Sequence, residues 1–256
     1  MINEIKLGFI GLGQRGNGLL STVLDLDCFN DIKITAVCDS YEDRTNDAAK
    51  RIYESRGEMP AVYTDYTQLL KDKNVNTVII SAAWEAHVPI AVAAMKAGKI
   101  CGLEVGGAYS VHDCWELVKT YEATKTPFMF LENCCYGKKE LFVSNLARNG
   151  LLGEIVYCHG SYCHDLRSEI CGGVKNRHYR LRNYLERNCD NYPTHELGPI
   201  ARLLNINRGN RMVSLVSMSS KARGLSEFVK DKQEYEFLHG KHFNQGDVVE
   251  TLITCA

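Results

Sequence analysis

"GFIGLGQRGNG" (residues 8–18) decides the fold. An apolar, strand-like run ends in Gly11-x-Gly13-x-x-Gly16, and a helix-like run follows at once. The glycines permit a tight turn and let a pyrophosphate approach the helix N-terminus, where amide dipoles favour negative charge. A lone motif of this form is weak, but its context here is right. A strand precedes it, a helix follows, and Asp39 closes the next strand-like run 23 positions past Gly16. A carboxylate there accepts from the adenosine ribose hydroxyls and repels a 2′-phosphate, so NAD is expected over NADP. Arg44 pulls weakly the other way.

Outward from this turn, the first half alternates two periodicities. Short apolar runs stand at 5–11, 33–39, 75–81, 99–105 and 127–133, with helical patterns at 14–26, 42–55, 85–97 and 111–124. Strand–helix repetition with short loops predicts a Rossmann-type, doubly wound parallel sheet covered by helices on both faces. The expected fold class is therefore α/β, with a nucleotide-binding domain over 1–132. Residues 133–256 read as an α+β substrate domain: a helix at 138–149, a strand at 154–162, a polar stretch rich in Arg and Tyr at 165–192, a helix at 196–206, a strand at 211–219, loop over 221–245 and strand character at 247–256. A chain that stops in a strand leaves that strand's partners unsupplied, so this second domain is expected to be incomplete.

Composition narrows the function classes. The 256 residues are 45% hydrophobic and 24% charged, with a formal net charge of −1 and basic residues dispersed along the chain. Nucleic acid and anionic membrane are poor partners for such a surface, and no apolar run is long enough to span a bilayer. The N-terminus enters a strand almost immediately, leaving no room for a signal peptide, so a cytoplasmic protein with mostly reduced thiols is expected. Of the 11 cysteines, Cys158 and Cys163 alternate with His159 and His164 in "YCHGSYCH" (157–164). On a strand these point to opposite faces and no second pair has finger spacing, so no metal is assigned.

Polar residues collect where such sheets bind ligands, past the carboxyl ends of the strands. Trp84, Glu85 and His87 follow one strand, Glu104 ends the next and Glu132–Asn133 end another. In the second half, "NYPTHELGP" (191–199) sets Tyr192 and His195 three apart across Pro193, just ahead of a helix. Proline fixes the local backbone, so a phenol and an imidazole can be presented together for proton transfer. A helix-start histidine bonded to backbone is the plainer reading of His195, and an amphipathic core tyrosine that of Tyr136.

With these motifs assembled ("GLGQRG" 11–16, "WEAH" 84–87, "ENCCYG" 132–137, "GSYCHDLR" 160–167, "YPTHELGP" 192–199), the chain resembles the Gfo/Idh/MocA oxidoreductase superfamily over essentially its whole length. Within it, the chain is similar to the NAD-dependent glycosidases of glycoside hydrolase family 109, the α-N-acetylgalactosaminidases. Most of the superfamily carries Glu-Lys-Pro at the end of the fifth strand, where the lysine assists hydride transfer. Here "EVGG" (104–107) places Val105 at the lysine position, as the family 109 enzymes similarly do. Those enzymes usually follow the valine with proline or serine, so Gly106 is a departure.

The resemblance implies NAD contacts at Gly11, Gly13, Gln14, Arg15, Gly16, Asp39, Trp84, His87, Glu104, Val105, Asn133 and Tyr192. It implies sugar contacts at Tyr162, Arg180, Tyr192, Thr194 and His195; where family members usually have tryptophan before the arginine, this chain has Tyr179. It further implies a redox-neutral mechanism. Hydride leaves carbon 3 of the sugar for NAD, the ketone acidifies the carbon 2 proton, the glycosidic oxygen is eliminated, water adds at carbon 1, and the hydride returns. Such chemistry calls for bases beside the nicotinamide rather than paired carboxylates. His195 and Tyr192 are expected at the carbon 3 hydroxyl and Tyr136 at carbon 2. The rival readings are a sugar dehydrogenase with net NAD turnover, against which Val105 speaks, and a non-catalytic NAD-binding sensor. A small-molecule sugar or glycoside is the expected partner. The C-terminal sheet of the superfamily commonly forms a subunit interface, so a homo-oligomer remains open.

Overall fold

The computed structural model describes residues 4–26, 32–191 and 193–256, and the chain falls into two compact units, Met1–Leu131 and Glu132–Ala256. In the first unit, β1 (Ile5–Ile10), α1 (Gln14–Leu24), β2 (Ile32–Cys38), α2 (Glu42–Arg56), β3 (Ala61–Tyr63), α3 (Tyr66–Lys71), β4 (Thr77–Ile80), α4 (Trp84–Lys96), β5 (Ile100–Leu103), α5 (Val111–Thr124) and β6 (Phe128–Phe130) follow in order. The sheet runs β3-β2-β1-β4-β5-β6, and every pairing is parallel. Strand order reverses between β1 and β4, which opens the ligand crevice at the carboxyl ends of these two strands.

The strands are apolar on both faces because both are covered. Leu7, Phe9, Leu20, Val37 and Ile52 pack one side. Ile10, Val78, Ile80, Met95 and Leu103 pack the other. Each such side chain contributes roughly 1.5–3 kcal/mol on burial. Cys38 and Cys101 belong to this core, and burial pushes both thiols up to about 12, so they serve as small apolar residues. Six strands stand where the sequence pattern marks five. The extra edge strand, β3, has three residues, too few to show a period, and it leads into a six-residue helix whose start Asp65 caps by accepting from Thr67 N–H.

The second unit opens with a 3₁₀ turn (Asn133–Tyr136), then α6 (Lys138–Arg148), α7 (Arg167–Cys171), α8 (Arg180–Glu186), α9 (Pro193–Leu203), β7 (Met212–Ser219), α10 (Gly224–Val229), a second 3₁₀ turn (Gln233–Leu238) and β8 (Val249–Cys255). β7 and β8 pair antiparallel as a two-stranded sheet.

Two expectations need correction. Residues 154–162, read as a strand, carry no regular secondary structure. A strand needs a ladder partner; instead the segment lies against α9, where a Cβ on Gly160 would come within 2.7 Å of Glu196 Cβ. Residues 221–245, read as loop, contain α10 and a 3₁₀ turn, and Leu225, Val229, Leu238 and Phe243 join Leu166, Ile170, Cys171 and Leu181 in a small core of their own. No described helix is long and apolar enough to cross a membrane.

Candidate functional site

The first unit carries the geometry of a nucleotide cradle. Gly11 has φ +93°, and a Cβ there would meet Ala82 N at 2.5 Å. At Gly16 a Cβ would collide with the carbonyl oxygen of Gly11. Gly13 is the opposite case: the nearest heavy atom to a Cβ is Arg44 Nη1 at 3.7 Å, so that side of the turn is open. The turn is thus folded tightly onto β4 and left bare at the start of α1, as close approach by a pyrophosphate requires.

Asp39, 8% exposed, accepts from Leu12 N–H at 2.7 Å through Oδ2 and from Tyr41 N–H at 3.0 Å through Oδ1. The carboxylate is thereby fixed beside the glycine turn. Each oxygen keeps a second lone pair for a ribose hydroxyl. Arg44 approaches Oδ2 at 3.7 Å and lies over the Tyr41 ring.

Beyond β5 the residues lock one another. Glu104 is buried; its Oε1 takes Arg15 Nη2 at 2.8 Å and Nε at 2.9 Å, and its Oε2 accepts from Val105 N–H at 3.1 Å. Arg15 therefore ties the first turn of α1 to the end of β5. Gln14 beside it is exposed. Val105 itself is 8% exposed and brings no titratable group. Gly106 has φ +77°, and a Cβ there would overlap the Trp84 indole. Any side chain is excluded twice at this position, so the departure at Gly106 and the placement of Trp84 belong together. His87 is 2% exposed; its Nε2–H donates to Ala82 O at 2.9 Å and burial pulls the imidazole down to about 4, so it is neutral. Its Nδ1 is a buried acceptor with no hydrogen-bond partner among the described residues.

In the second unit the chemistry gathers on His195. Its Nδ1 lies 2.8 Å from Glu132 Oε1 and 3.0 Å from Oε2, with side-chain exposures of 10% and 7%. The imidazole is thus bonded through Nδ1 to a carboxylate. The Tyr162 ring packs edge-on against the imidazole, 4.6 Å between centroids and 61° between planes, and its hydroxyl lies 3.2 Å from His164 Nδ1. Burial works to raise the Glu132 carboxyl. The neighbouring Thr194 hydroxyl and the bonds from His195 and Cys134 N–H outweigh it and hold the group below its ordinary value. Glu132 is therefore a carboxylate at neutral pH. Glu196, next to His195 on α9, goes the other way: burial raises it, with Asp190 and Glu132 adding and its own backbone N–H and His195 opposing.

Glu132, Cys134 and His195 offer ligand-type atoms within 4.8 Å of one another. The carboxylate oxygens are already engaged by the N–H donors of Cys134 and His195, and burial, aided by Glu132, pushes the Cys134 thiol up to about 11. The trio is a hydrogen-bonded cluster holding a neutral thiol, which suits an oriented imidazole better than a cation.

The remaining expected residues sit elsewhere. Tyr136 is 55% exposed, and the Arg202 guanidinium lies 5.2 Å from its ring centroid. Asn133 is exposed in the same 3₁₀ turn. Arg180 pairs with Glu169 at 2.9 Å and lies 5.7 Å from the Tyr179 ring centroid; His178 stacks on that ring and also reaches Glu169. Tyr192 lies outside the described residues. The structure thus packs Tyr162 on His195 and joins His195 to Glu132, while Tyr136 and Arg180 have other neighbours. The sequence reading sets Glu132 among the polar residues past the strand ends but gives it no part beside His195. Its pairing with a histidine 63 positions away leaves no local pattern, and a polar residue ending a strand is the only signal.

Residues 5–131 match the family described as "Oxidoreductase family, NAD-binding Rossmann fold", and residues 136–256 match "Glycosyl hydrolase 109, C-terminal domain". An alpha-N-acetylgalactosaminidase of Tannerella forsythia is 38% identical over 276 residues, covering 98% of this chain and 58% of that protein. One from Shewanella oneidensis is 36% identical over 256 residues, covering 97% and 55%. The chain thus spans a little over half the length of these relatives. Among solved structures, scyllo-inositol dehydrogenase from Lactobacillus casei with bound NAD(H) and scyllo-inositol superposes with a TM-score of 0.68 at 13% identity, covering 98% of this chain and 66% of that one. At that identity the likeness is one of fold.

Proposed function

Since the chain belongs to the Gfo/Idh/MocA oxidoreductases and, within them, to glycoside hydrolase family 109, we propose that the whole protein is an NAD-dependent, redox-neutral glycosidase acting on an α-linked N-acetylhexosamine. Bound NAD would supply a reversible hydride acceptor for carbon 3 of the sugar. The glycine turn and the first residues of α1 receive the pyrophosphate, and Asp39 receives the ribose. Val105 cannot move a proton, so acid–base work falls to the second unit. His195, with Tyr192, handles the carbon 3 hydroxyl proton. Tyr136 takes the carbon 2 proton, and Tyr162, Arg180 and Thr194 hold the sugar.

The observation that supports this reading most is the half-buried, carboxylate-bound imidazole of His195, a paired base in a unit whose relatives are glycosidases. With one such base and a returnable hydride, no pair of catalytic carboxylates is required. The test is a panel of α- and β-linked nitrophenyl glycosides given to the whole protein with NAD. The expected result is nitrophenol release from an α-linked N-acetylhexosaminide with no accumulation of NADH. Stoichiometric NADH with no leaving group released is the dehydrogenase outcome and overturns the proposal.

A further inference from the structure

We infer that Glu132 is the positioning residue of His195: it holds the proton on Nδ1, so that Nε2 is the ring nitrogen that exchanges protons with the substrate. The inference rests on the glycosidase reading for its kinetic consequence, but its structural half stands alone.

Both carboxylate oxygens of Glu132 lie within 3.0 Å of Nδ1. A carboxylate can only accept, so Nδ1 must donate. Neutral imidazole has one N–H, and once Nδ1 holds it the lone pair is on Nε2. The carboxylate is itself fixed from a further side, by Cys134 N–H at 2.9 Å. The histidine is the central member of a chain of held groups, carboxylate to Nδ1 and Nε2 to the reacting proton, and this is the arrangement that activates a base elsewhere in enzymes.

The backbone has made room for this contact. Gly198 lies three positions past His195, on the same side of α9. A Cβ at Gly198 would stand 2.9 Å from Glu132 Cγ and 3.0 Å from Cys135 Sγ. Any larger residue would push the helix off the carboxylate. On its other flank the imidazole meets the edge-on Tyr162 ring, which restricts rotation about the Cβ–Cγ bond. The "THELG" stretch is therefore read as one device, with the base and the gap for its carboxylate one helical turn apart.

The test compares the whole wild-type protein with Glu132→Gln in the presence of NAD. Glutamine keeps the shape, but it can donate as well as accept, so the tautomer is no longer dictated. The expected kcat falls by about 100-fold, the low end of what a positioned general base supplies. KM and NAD affinity should stay within about threefold, as expected when a transition-state interaction alone is lost. The independent readout is ¹⁵N NMR of histidine-labelled protein, with the His195 signals assigned by difference against His195→Gln. Wild type should show the Nδ1–H tautomer of His195, and Glu132→Gln a mixture. Should Glu132→Gln fail to fold, Glu132→Asp replaces it, and retention of the Nδ1–H tautomer with an intermediate kcat is expected. A wild-type Nε2–H tautomer, or a Glu132→Gln kcat within threefold of wild type, overturns the inference. If no glycoside is cleaved by the wild type, the glycosidase reading fails, and the tautomer still decides the role of Glu132.

Discussion

His87 shows how a motif residue can be read two ways. "WEAH" suggests a contact to cofactor, whereas the structure seats the imidazole inside the first unit with one nitrogen on Ala82 O. Its value near 4, against 6.5 for a free imidazole, has a defined sign. Below about pH 6.5 the unfolded chain takes up a proton that the folded chain refuses, so acid favours unfolding. Stability should fall between pH 6.5 and about 4, by on the order of 3 kcal/mol in all, and then level off. Both tryptophans, Trp84 and Trp115, lie in this unit, so urea unfolding followed by tryptophan fluorescence at pH 7 and pH 4.5 measures it. His87→Gln, which can still donate to Ala82 O, should flatten the slope; an equal slope in the variant contradicts this account. Gly106 offers a second residue-level test. Gly106→Ala combines φ +77° with a collision on Trp84 and should cost about 2–4 kcal/mol in the same experiment. A change below about 0.5 kcal/mol, the range of a neutral surface substitution, would mean the indole is easily displaced.

Elements were legible where their stabilising contacts are local. The strands and helices of the first unit announce themselves because each buries a periodic apolar face against its sequence neighbours. The G-x-G-x-x-G turn is readable for the same reason: the collision that forbids a Cβ at Gly16 is with Gly11, five positions away. Failures came where the partner is distant. Helix α10 reads as loop in the sequence, although Leu225 and Val229 recur at helical spacing, because its N-terminus is capped from afar. Asp247 accepts from Arg223 N–H at 3.0 Å and from Gly224 N–H at 2.9 and 3.0 Å. The residues just ahead of the helix supply no side-chain cap. Residues 154–162 failed in reverse, since β-branched and aromatic side chains favour a strand only when a neighbouring strand exists to pair with. Asp247→Ala should cost about 1 kcal/mol, the usual worth of a helix cap. Hydrogen exchange should then speed up at the amides of Gly224–Val229, and unchanged exchange there would remove the cap from the account.

At the scale of the whole molecule, the fold class is readable in the sequence, and the arrangement of the acid–base groups is not. A doubly wound sheet is specified many times over by repeated apolar runs. The site of the second unit depends on single pairings between segments far apart in sequence, and only the side chains in place reveal that His195 answers to Glu132. The central claim is that a hydride is borrowed and returned so that a proton at carbon 2 of the sugar can be removed. It is tested most directly by turning over an α-N-acetylhexosaminide in deuterated water with the whole protein and NAD, and locating deuterium in the released sugar. The account predicts solvent deuterium at carbon 2 with no net NADH. Product carrying only its original hydrogen at carbon 2 means direct displacement at carbon 1 and contradicts it.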